Sequence, residues 1–521
     1  MIEGIGVRNF QGFAGGQEIR TAPITLIFGP NASGKSSILR ALKMYRQSMV
    51  GVGENSPRGF TYDGELVNLV SFTNTVFGQG KHQETGSPSD LAVGLTFKFG
   101  ELTGLAGLDS VNASLFDLRA DEIDGDASLT SAMRIVVGLQ NGMTFGFTIF
   151  EGRIAFEETP DILEKGLETL ASLNPGLQPI VWEEESDVYL DPEEWLLDNP
   201  DEDSTWATLV RASIQWNPRV RFPSIRKYDA GTLGAFTRSA RLEALAKVLE
   251  DPKFQDISST LQELPETVMY TRNDRVKVQL LETLFRAASF AVTSNLANLT
   301  STAPLREIPN RTESIKTGAQ KRWDLPKVNE WVQNLTQGRY TVHSDNQIVL
   351  PGLRLELLHN YVQDAHTGAQ VSFDQVGMGL SQLVPIVEQV FTRPEGEFAD
   401  LPSFASVHLI EQPELHLHPK MQSGIADMLI DAVKNNEWQT QVIVETHSEN
   451  ILLRIQKRIR EGKLDPEMVS IVYVEGSERS FDEYGEVSQH NIMYNIELSR
   501  SGDVIDPFPE TFADLRIQDL L

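Results

Sequence analysis

Cysteine is absent from the chain, so it has neither disulfides nor thiolate zinc sites. Long apolar runs are missing as well. No window approaches the ~18 uninterrupted apolar residues that read as a membrane span. The opening MIEGIGVRNF lacks the basic and then apolar pattern of a secretory signal. Together these absences point to a cytoplasmic protein with no membrane partner. Positive charge is scarce: 45 Lys and Arg face 73 Asp and Glu, a net charge of −28. Phosphate contacts supply most non-specific affinity for DNA, so nucleic acid is not indicated, and only a local basic patch would bind it.

What is there is ordinary globular composition, 40% hydrophobic and 23% charged over 521 residues, enough for two to four domains. The acidic excess is uneven. Eleven carboxylates and no Lys or Arg lie between Glu183 and Asp203. That run reads as a solvated loop or frayed helix, or else as a mimic of nucleic acid or a docking site for a basic partner. Two basic clusters, Arg219–Lys227 and Arg454–Arg460, read as surface faces.

The chain divides into four stretches without internal repeats. Residues 1–155 alternate short apolar strands with turns, among them Ile24–Phe28, Leu91–Phe99 and Met133–Leu139. Residues 156–345 are predicted to be a mainly helical insertion, with stripes at Leu242, Leu245, Val248, Leu249 and at Val278, Leu281, Leu284, Phe285. Residues 346–475 return to alternating strand and helix. Val407–Ile410, Val442–Glu445 and Ile471–Val474 read as buried parallel strands. Residues 476–521 form a C-terminal extension. The pattern predicts an α/β nucleotide domain, a mixed sheet flanked by helices, built from both ends of the chain.

GPNASGKSS, Gly29 to Ser37, matches G-x-x-x-x-G-K-[ST] between the strand Ile24–Phe28 and a helix with Ile38, Leu42, Tyr45 and Met49 on one stripe. Gly29 and Gly34 let the backbone turn its N–H groups onto phosphate oxygens, with Asn31, Ser33 and Ser37 in the same cradle, and the helix dipole adds attraction. Lys35 is predicted to reach the β- and γ-phosphates of ATP, and Ser36 to offer its hydroxyl to Mg²⁺.

Such a site needs a carboxylate at the tip of a neighbouring strand. VHLIEQPE, residues 407–414, supplies Glu411 as the predicted metal-side acid. Gln412 follows where a general base would act. An amide orients water but accepts no proton, and Glu414 stands two residues on as a substitute. VIVETHSEN, residues 442–450, places His447 to sense a γ-phosphate. His416 and His418 could join Glu411 in a zinc site, but their i, i+2 spacing puts them on opposite sides of an extended chain. VGMGLSQLVPIV, residues 376–387, opens a helix with Gly377 and Gly379, a second backbone anion site.

These motifs, in the order RNFQGF, GPNASGKSS, VGMGLSQLVP, IEQPELHLHP and ETHSE, resemble the ABC-type ATPases related to SMC and OLD-family proteins. The chain is similar, more narrowly, to stand-alone bacterial AAA-type ATPases that read IEQPELHLHP, and APLREIPNR at 303–311 resembles a Pro-Leu-Arg stretch of that group. The resemblance implies two heads sandwiching two ATPs, in a homodimer or a higher homo-oligomer. Gly29 to Ser37 would be Walker A, Glu411 the Walker B acid and His447 the switch histidine. Gly377 to Gln382 would face the partner's γ-phosphate, with Ser381 or backbone N–H groups acting because the usual signature serine falls on Gly377. Gln79 is a candidate for the Q-loop. No acidic cluster after ETHSE resembles the Toprim nuclease of some relatives. The resemblance further implies a slow, dimerising ATPase switch that controls a separate effector in anti-phage defence. A DNA-repair or DNA-tethering ATPase, and a scaffold that binds ATP with little turnover, are the competing expectations.

Overall fold

The computed structural model describes residues 1–50, 59–77, 90–99, 108–119, 129–139, 144–150, 153–157, 288, 291–304, 306, 312–316, 325–348, 355–373, 375–391, 405–436, 438–481 and 487–505. Gln79, the acidic run 183–203, the Arg219–Lys227 cluster and both helical stripes lie outside them.

Strands β1 (Ile2–Phe10), β2 (Phe13–Arg20) and β3 (Ile24–Phe28) lead into helix α1 (Lys35–Val50). A one-turn helix α2 (Phe72–Thr75) precedes β4 (Asp90–Lys98), β5 (Leu108–Arg119), β6 (Leu129–Leu139), β7 (Thr144–Phe150) and β8 (Arg153–Glu157). Next come β9 (Leu299–Thr302), β10 (Thr312–Lys316), α3 (Leu325–Thr336), β11 (Tyr340–Ile348), β12 (Leu355–Asp364) and β13 (Gln370–Val371). The chain then runs through α4 (Met378–Phe391), β14 (Ser406–Glu411), α5 (Pro419–Asn435), β15 (Thr440–Glu445), α6 (Glu449–Arg460), β16 (Val469–Phe481) and β17 (Val487–Ile496).

Two compact units result. One comprises Met1, Ile19–Leu39 and Asn298–Leu521; the other comprises Ile2–Glu18 and Arg40–Ala297. The second unit holds a seven-stranded sheet in the order β2-β1-β4-β5-β6-β7-β8, antiparallel from β1 to β8. Inside it the buried Asp117 accepts hydrogen bonds from Tyr62 Oη (2.6 Å) and Ser131 Oγ (2.7 Å).

The first unit holds a six-stranded mixed sheet in the order β17-β16-β3-β15-β14-β9. β16, β3, β15, β14 and β9 are parallel, and β17 closes the edge antiparallel. β3 (ITLIF) and β15 (TQVIVE) are buried at every position. Continuous apolar runs of this kind suit a parallel sheet covered on both faces. Val384, Val387, Ile425, Leu429, Ile451 and Ile455, from α4, α5 and α6, share one core with Leu26 and Val444 of the sheet. The expected α/β fold, a mixed sheet flanked by helices, is therefore present, and β3 joins it from the far end of the chain. A smaller sheet, β10-β12-β11 with β13 on β12, belongs to the same unit. No described helix is long and apolar enough to cross a membrane.

Two expected boundaries fall elsewhere. The described part of 156–345 contains β9, β10, α3 and most of β11, and β9 pairs with β14 in the site-bearing sheet, Leu299 opposite Val407. LTST is too short to show a period of its own, and the long-range pairing decides its state. The boundary at 475/476 falls inside β16, which runs on to Phe481 and pairs with β17.

A histidine is buried in the middle of β14. His408 Nδ1 and Thr300 Oγ1 lie 2.8 Å apart in a hydrogen bond, and Gln389 Nε2 also donates to Thr300 Oγ1 at 2.8 Å. Burial pushes the His408 pKa down to about 4. The unfolded ring titrates near pH ~6.5, so the unfolded chain binds the extra proton as pH falls below that value. This contribution to stability is whole above pH ~6.5 and is lost as pH falls towards ~4. Between pH ~7 and ~5 the loss from this one ring should be about 2 kcal/mol. His408→Leu should remove that part of the pH dependence. Urea midpoints of both proteins at the two pH values measure it, and equal pH dependence in both would contradict the assignment.

Candidate phosphate-binding site

The loop between β3 and α1 is shaped by three left-handed residues, Ala32 at φ 61°, Gly34 at φ 98° and Gly29 at φ 150°. A side chain on Gly29 would also collide with the Val474 carbonyl oxygen of β16. Glycine at 29 is thus required by both conformation and close approach. Lys35 is buried at 4% exposure. Its Nζ donates to the loop's own carbonyls, Gly29 O at 2.9 Å and Pro30 O at 2.6 Å. Loss of solvent lowers its pKa, against the opposing pull of Glu445 and Glu414. A desolvated ammonium held by neutral carbonyls, with no carboxylate bonded to it, is poised for an anion.

Strand order decides which acid meets the loop. β15 lies directly beside β3, Glu445 opposite Ile27, and β14 lies one strand further, Glu411 opposite Glu445. Ser36 Oγ accordingly donates to Glu445 Oε1 at 3.0 Å. Glu445 is buried, and among the described residues its Oε2 has no hydrogen-bond partner. Its pKa is raised by burial, and the bond from Ser36 opposes that shift. The sequence reading missed Glu445 as a site residue, although the strand-end acid of ETHSE was in plain view.

The other predicted residues fall as follows. Glu411 ends β14, half-buried. Gln412 adopts φ 45° and its N–H donates to Glu445 O at 2.7 Å. Glu414 accepts from Thr446 Oγ1 (2.8 Å) and from the His447 N–H (2.7 Å), so its carboxylate is engaged in holding the turn after β15. The His447 ring is held below the usual histidine range by partial burial and then by the Lys35 charge. Ser33 is buried, and its Oγ has no partner. Ser37 is buried in the first turn of α1, and Asn31 is exposed at the loop's apex.

At the start of α4, Gly377 is exposed, and Gly379 lies against the His416 carbonyl, 3.1 Å from where a Cβ would sit. Ser381 differs from expectation. It is buried at 2% exposure, and its hydroxyl donates to Met378 O at 3.0 Å within its own helix. The Ser381 hydroxyl is thus engaged within α4, whose first-turn N–H groups have no acceptor within the helix.

Arg306, from the APLREIPNR stretch, also reaches this site. Its Nη2 donates to Glu411 O at 2.6 Å and to Gln412 O at 3.2 Å. Burial lowers its pKa to about 10, opposed by Glu414 and Glu411.

The residues present fit a hard cation. Ser36, Glu445 and Glu411 offer only oxygen, and the unpartnered Glu445 Oε2 is a buried acceptor awaiting a donor or ion. Among the described residues no group of three or more His, Asp or Glu could hold a metal alone. Magnesium suits such a site, because it is generally bound through one or two carboxylates with water and phosphate completing the shell. His418 Nδ1 instead accepts from Lys420 N at 3.3 Å and caps α5.

The AAA ATPase domain family matches residues 255–452, and the AAA domain family matches residues 5–60. The two spans take in the phosphate loop, the α4 start, the acidic strand and His447, so the parts of the chain that hold these residues are similar to AAA-type ATPase domains. No curated protein matches the sequence. Solved structures that align include the Smc head domain of Pyrococcus furiosus, with an extended coiled coil and bound to the C-terminal domain of ScpA. It has 12% identity over 100% of this chain and 99% of that one, with a TM-score of 0.35. An SmcHead bound to the C-winged helix domain of ScpA aligns at 11% identity over 95% and 98% of the two chains, TM-score 0.38. The SMC head domain of Thermotoga maritima aligns at 10% identity over 95% and 99%, TM-score 0.34. Superpositions this loose do not pair residue with residue.

Proposed function

We propose that the chain binds ATP at the Gly29–Ser37 loop and hydrolyses it slowly, as a dimerising switch that controls a separate effector protein. The observation that carries the binding step is the direct bond from Ser36 to the buried Glu445, beside a Lys35 that has only neutral carbonyls as hydrogen-bond partners. Lys35 would exchange the Gly29 and Pro30 carbonyls for phosphate oxygens. Ser36, oriented by donating its proton to Glu445, would keep its oxygen lone pairs for the cation. Mg²⁺, held by Ser36 with Glu445 and Glu411, would neutralise charge on the phosphates. A neutral His447 would donate a single N–H to the γ-phosphate.

Slow turnover follows from the same residues. Gln412 accepts no proton from the attacking water, and Glu414 already accepts two hydrogen bonds. General-base assistance is typically worth ~10²- to 10⁴-fold, and Glu411 is the remaining acid at the strand tip. The scaffold reading draws on this same shortage and expects ATP to be held structurally with little turnover. Control of an effector in anti-phage defence extends the proposal by resemblance alone.

Dimerisation rests on the α4 start, where Met378 is 59% exposed between two glycines. A second subunit's nucleotide would meet the first-turn N–H groups of α4. Light scattering with a non-hydrolysable ATP analogue and Mg²⁺ should show a doubling of mass. A strict monomer at micromolar concentration under those conditions would rule the switch out.

A further inference from the structure

Arg306 is a buried cation without a hydrogen-bonded carboxylate. It is 6% exposed. Among the described residues its guanidinium donates only to carbonyl oxygens: Pro304 at 3.3 Å through Nη1, and Glu411 and Gln412 through Nη2. Among the described residues its buried Nε–H has no hydrogen-bond partner. Burying a guanidinium in this way is costly, and an apolar side chain would fill the space more cheaply. Packing therefore does not account for arginine here.

The backbone of Arg306 is held just as specifically. Its N–H donates to Gln382 Oε1 at 2.9 Å, and its carbonyl accepts from Gln382 Nε2 at 3.2 Å. Gln382 is itself buried in the second turn of α4. One side chain of α4 thus grips the main chain at 306, and the 306 side chain grips the main chain at 411–412. The gripped peptide is under conformational strain, since Gln412 sits at φ 45°, a region non-glycine residues seldom occupy. Its N–H is fixed in turn by Glu445 O at 2.7 Å.

We propose that Gln382 and Arg306 are positioning residues that tie the setting of the Glu411–Gln412 tip to the position of α4. The helix whose first turn carries Gly377 and Gly379 is then mechanically continuous with the acidic end of β14. Occupation of the α4 start is transmitted to the acidic tip through four hydrogen bonds and the two buried side chains of Gln382 and Arg306. The link deepens the switch reading above and rests on it for its functional meaning, but it makes a physical claim that holds without nucleotide.

Two variants test it, Gln382→Leu, which removes both amide bonds at similar volume, and Arg306→Lys, which keeps the charge but not the planar fork. Hydrogen exchange without nucleotide is the first readout. In Gln382→Leu, peptides covering 411–417 should exchange faster, although Gln382's own hydrogen bonds go to the main chain at 306. Turnover is the second. Displacement of a reacting group by about 1 Å can cost ~10²-fold, so kcat should fall roughly 10- to 100-fold in both variants while KM and ATP affinity change less than about threefold. The double variant should cost no more than the worse single one, because both break the same link. Unchanged exchange at 411–417 in a folded Gln382→Leu protein overturns the proposal, as does loss of ATP affinity in step with kcat. If the wild type itself releases no phosphate, the function proposed above fails, and the exchange experiment still decides the link.

Discussion

Lys35→Ala should weaken ATP binding by about 100-fold or more and lower turnover by a further large factor, with the fold unchanged. Charge-assisted bonds to phosphate are roughly twice as strong as neutral ones, and loss of one such donor at a developing charge typically costs ~10²–10³ in rate. Lys35 is suited to this role because, among the described residues, its Nζ has only the Gly29 and Pro30 carbonyls as hydrogen-bond partners. Lys35 lies outside the shared apolar core, so the fold should persist, with a modest fall in melting temperature from the loss of its buried stem and its two loop bonds. Equilibrium binding of a fluorescent ATP analogue, alongside circular dichroism, measures both parts. Normal binding and hydrolysis by the alanine variant would mean that the loop does not hold the nucleotide.

The second large effect concerns the acids. Glu411→Gln should lower magnesium-dependent turnover by ~10²–10³, as loss of a preorganised charge at a phosphoryl-transfer site commonly does. Glu445→Gln should act differently. Its amide oxygen can still accept the Ser36 proton, so ATP affinity should persist, but the cation loses one negative neighbour. The Mg²⁺ concentration for half-maximal turnover should therefore rise in both variants. Titration of Mn²⁺ binding by electron paramagnetic resonance, with a non-hydrolysable analogue present, gives a readout independent of turnover. Unaltered cation affinity in both would remove these two carboxylates from the metal side.

Much of the fold was legible locally. Ile24–Phe28 is an unbroken apolar run, the glycines at 29 and 34 mark a turn only they tolerate, and the stripe Ile38, Leu42, Tyr45 is fully buried on α1. Val407–Ile410 and Val442–Glu445 read correctly as buried parallel strands for the same reason. What escaped was non-local. Ser36 and Glu445 are 409 residues apart in sequence, and no local pattern says that β15 rather than β14 lies beside β3. Glu414 looked like a free substitute base until the turn at Thr446 and His447 closed on it. No sequence pattern chooses between Ser381 and the backbone N–H groups, because the helix start is legible while the buried side, where Ser381 lies, is not. β9 hid among polar residues, since LTST draws its strand state from β14 rather than from its own composition.

The slow-switch account turns on the amide at position 412 and the engaged carboxylate at 414, so the deciding measurement is steady-state phosphate release by the wild type, Gln412→Glu and Glu411→Gln under one set of conditions. The account expects wild-type turnover well below the ~10 s⁻¹ typical of enzymes, equal or faster release from Gln412→Glu, and release lowered strongly in Glu411→Gln. Fast wild-type turnover that disappears in Gln412→Glu would make Gln412 itself the essential water-positioning group, and the base-deficient switch would be wrong.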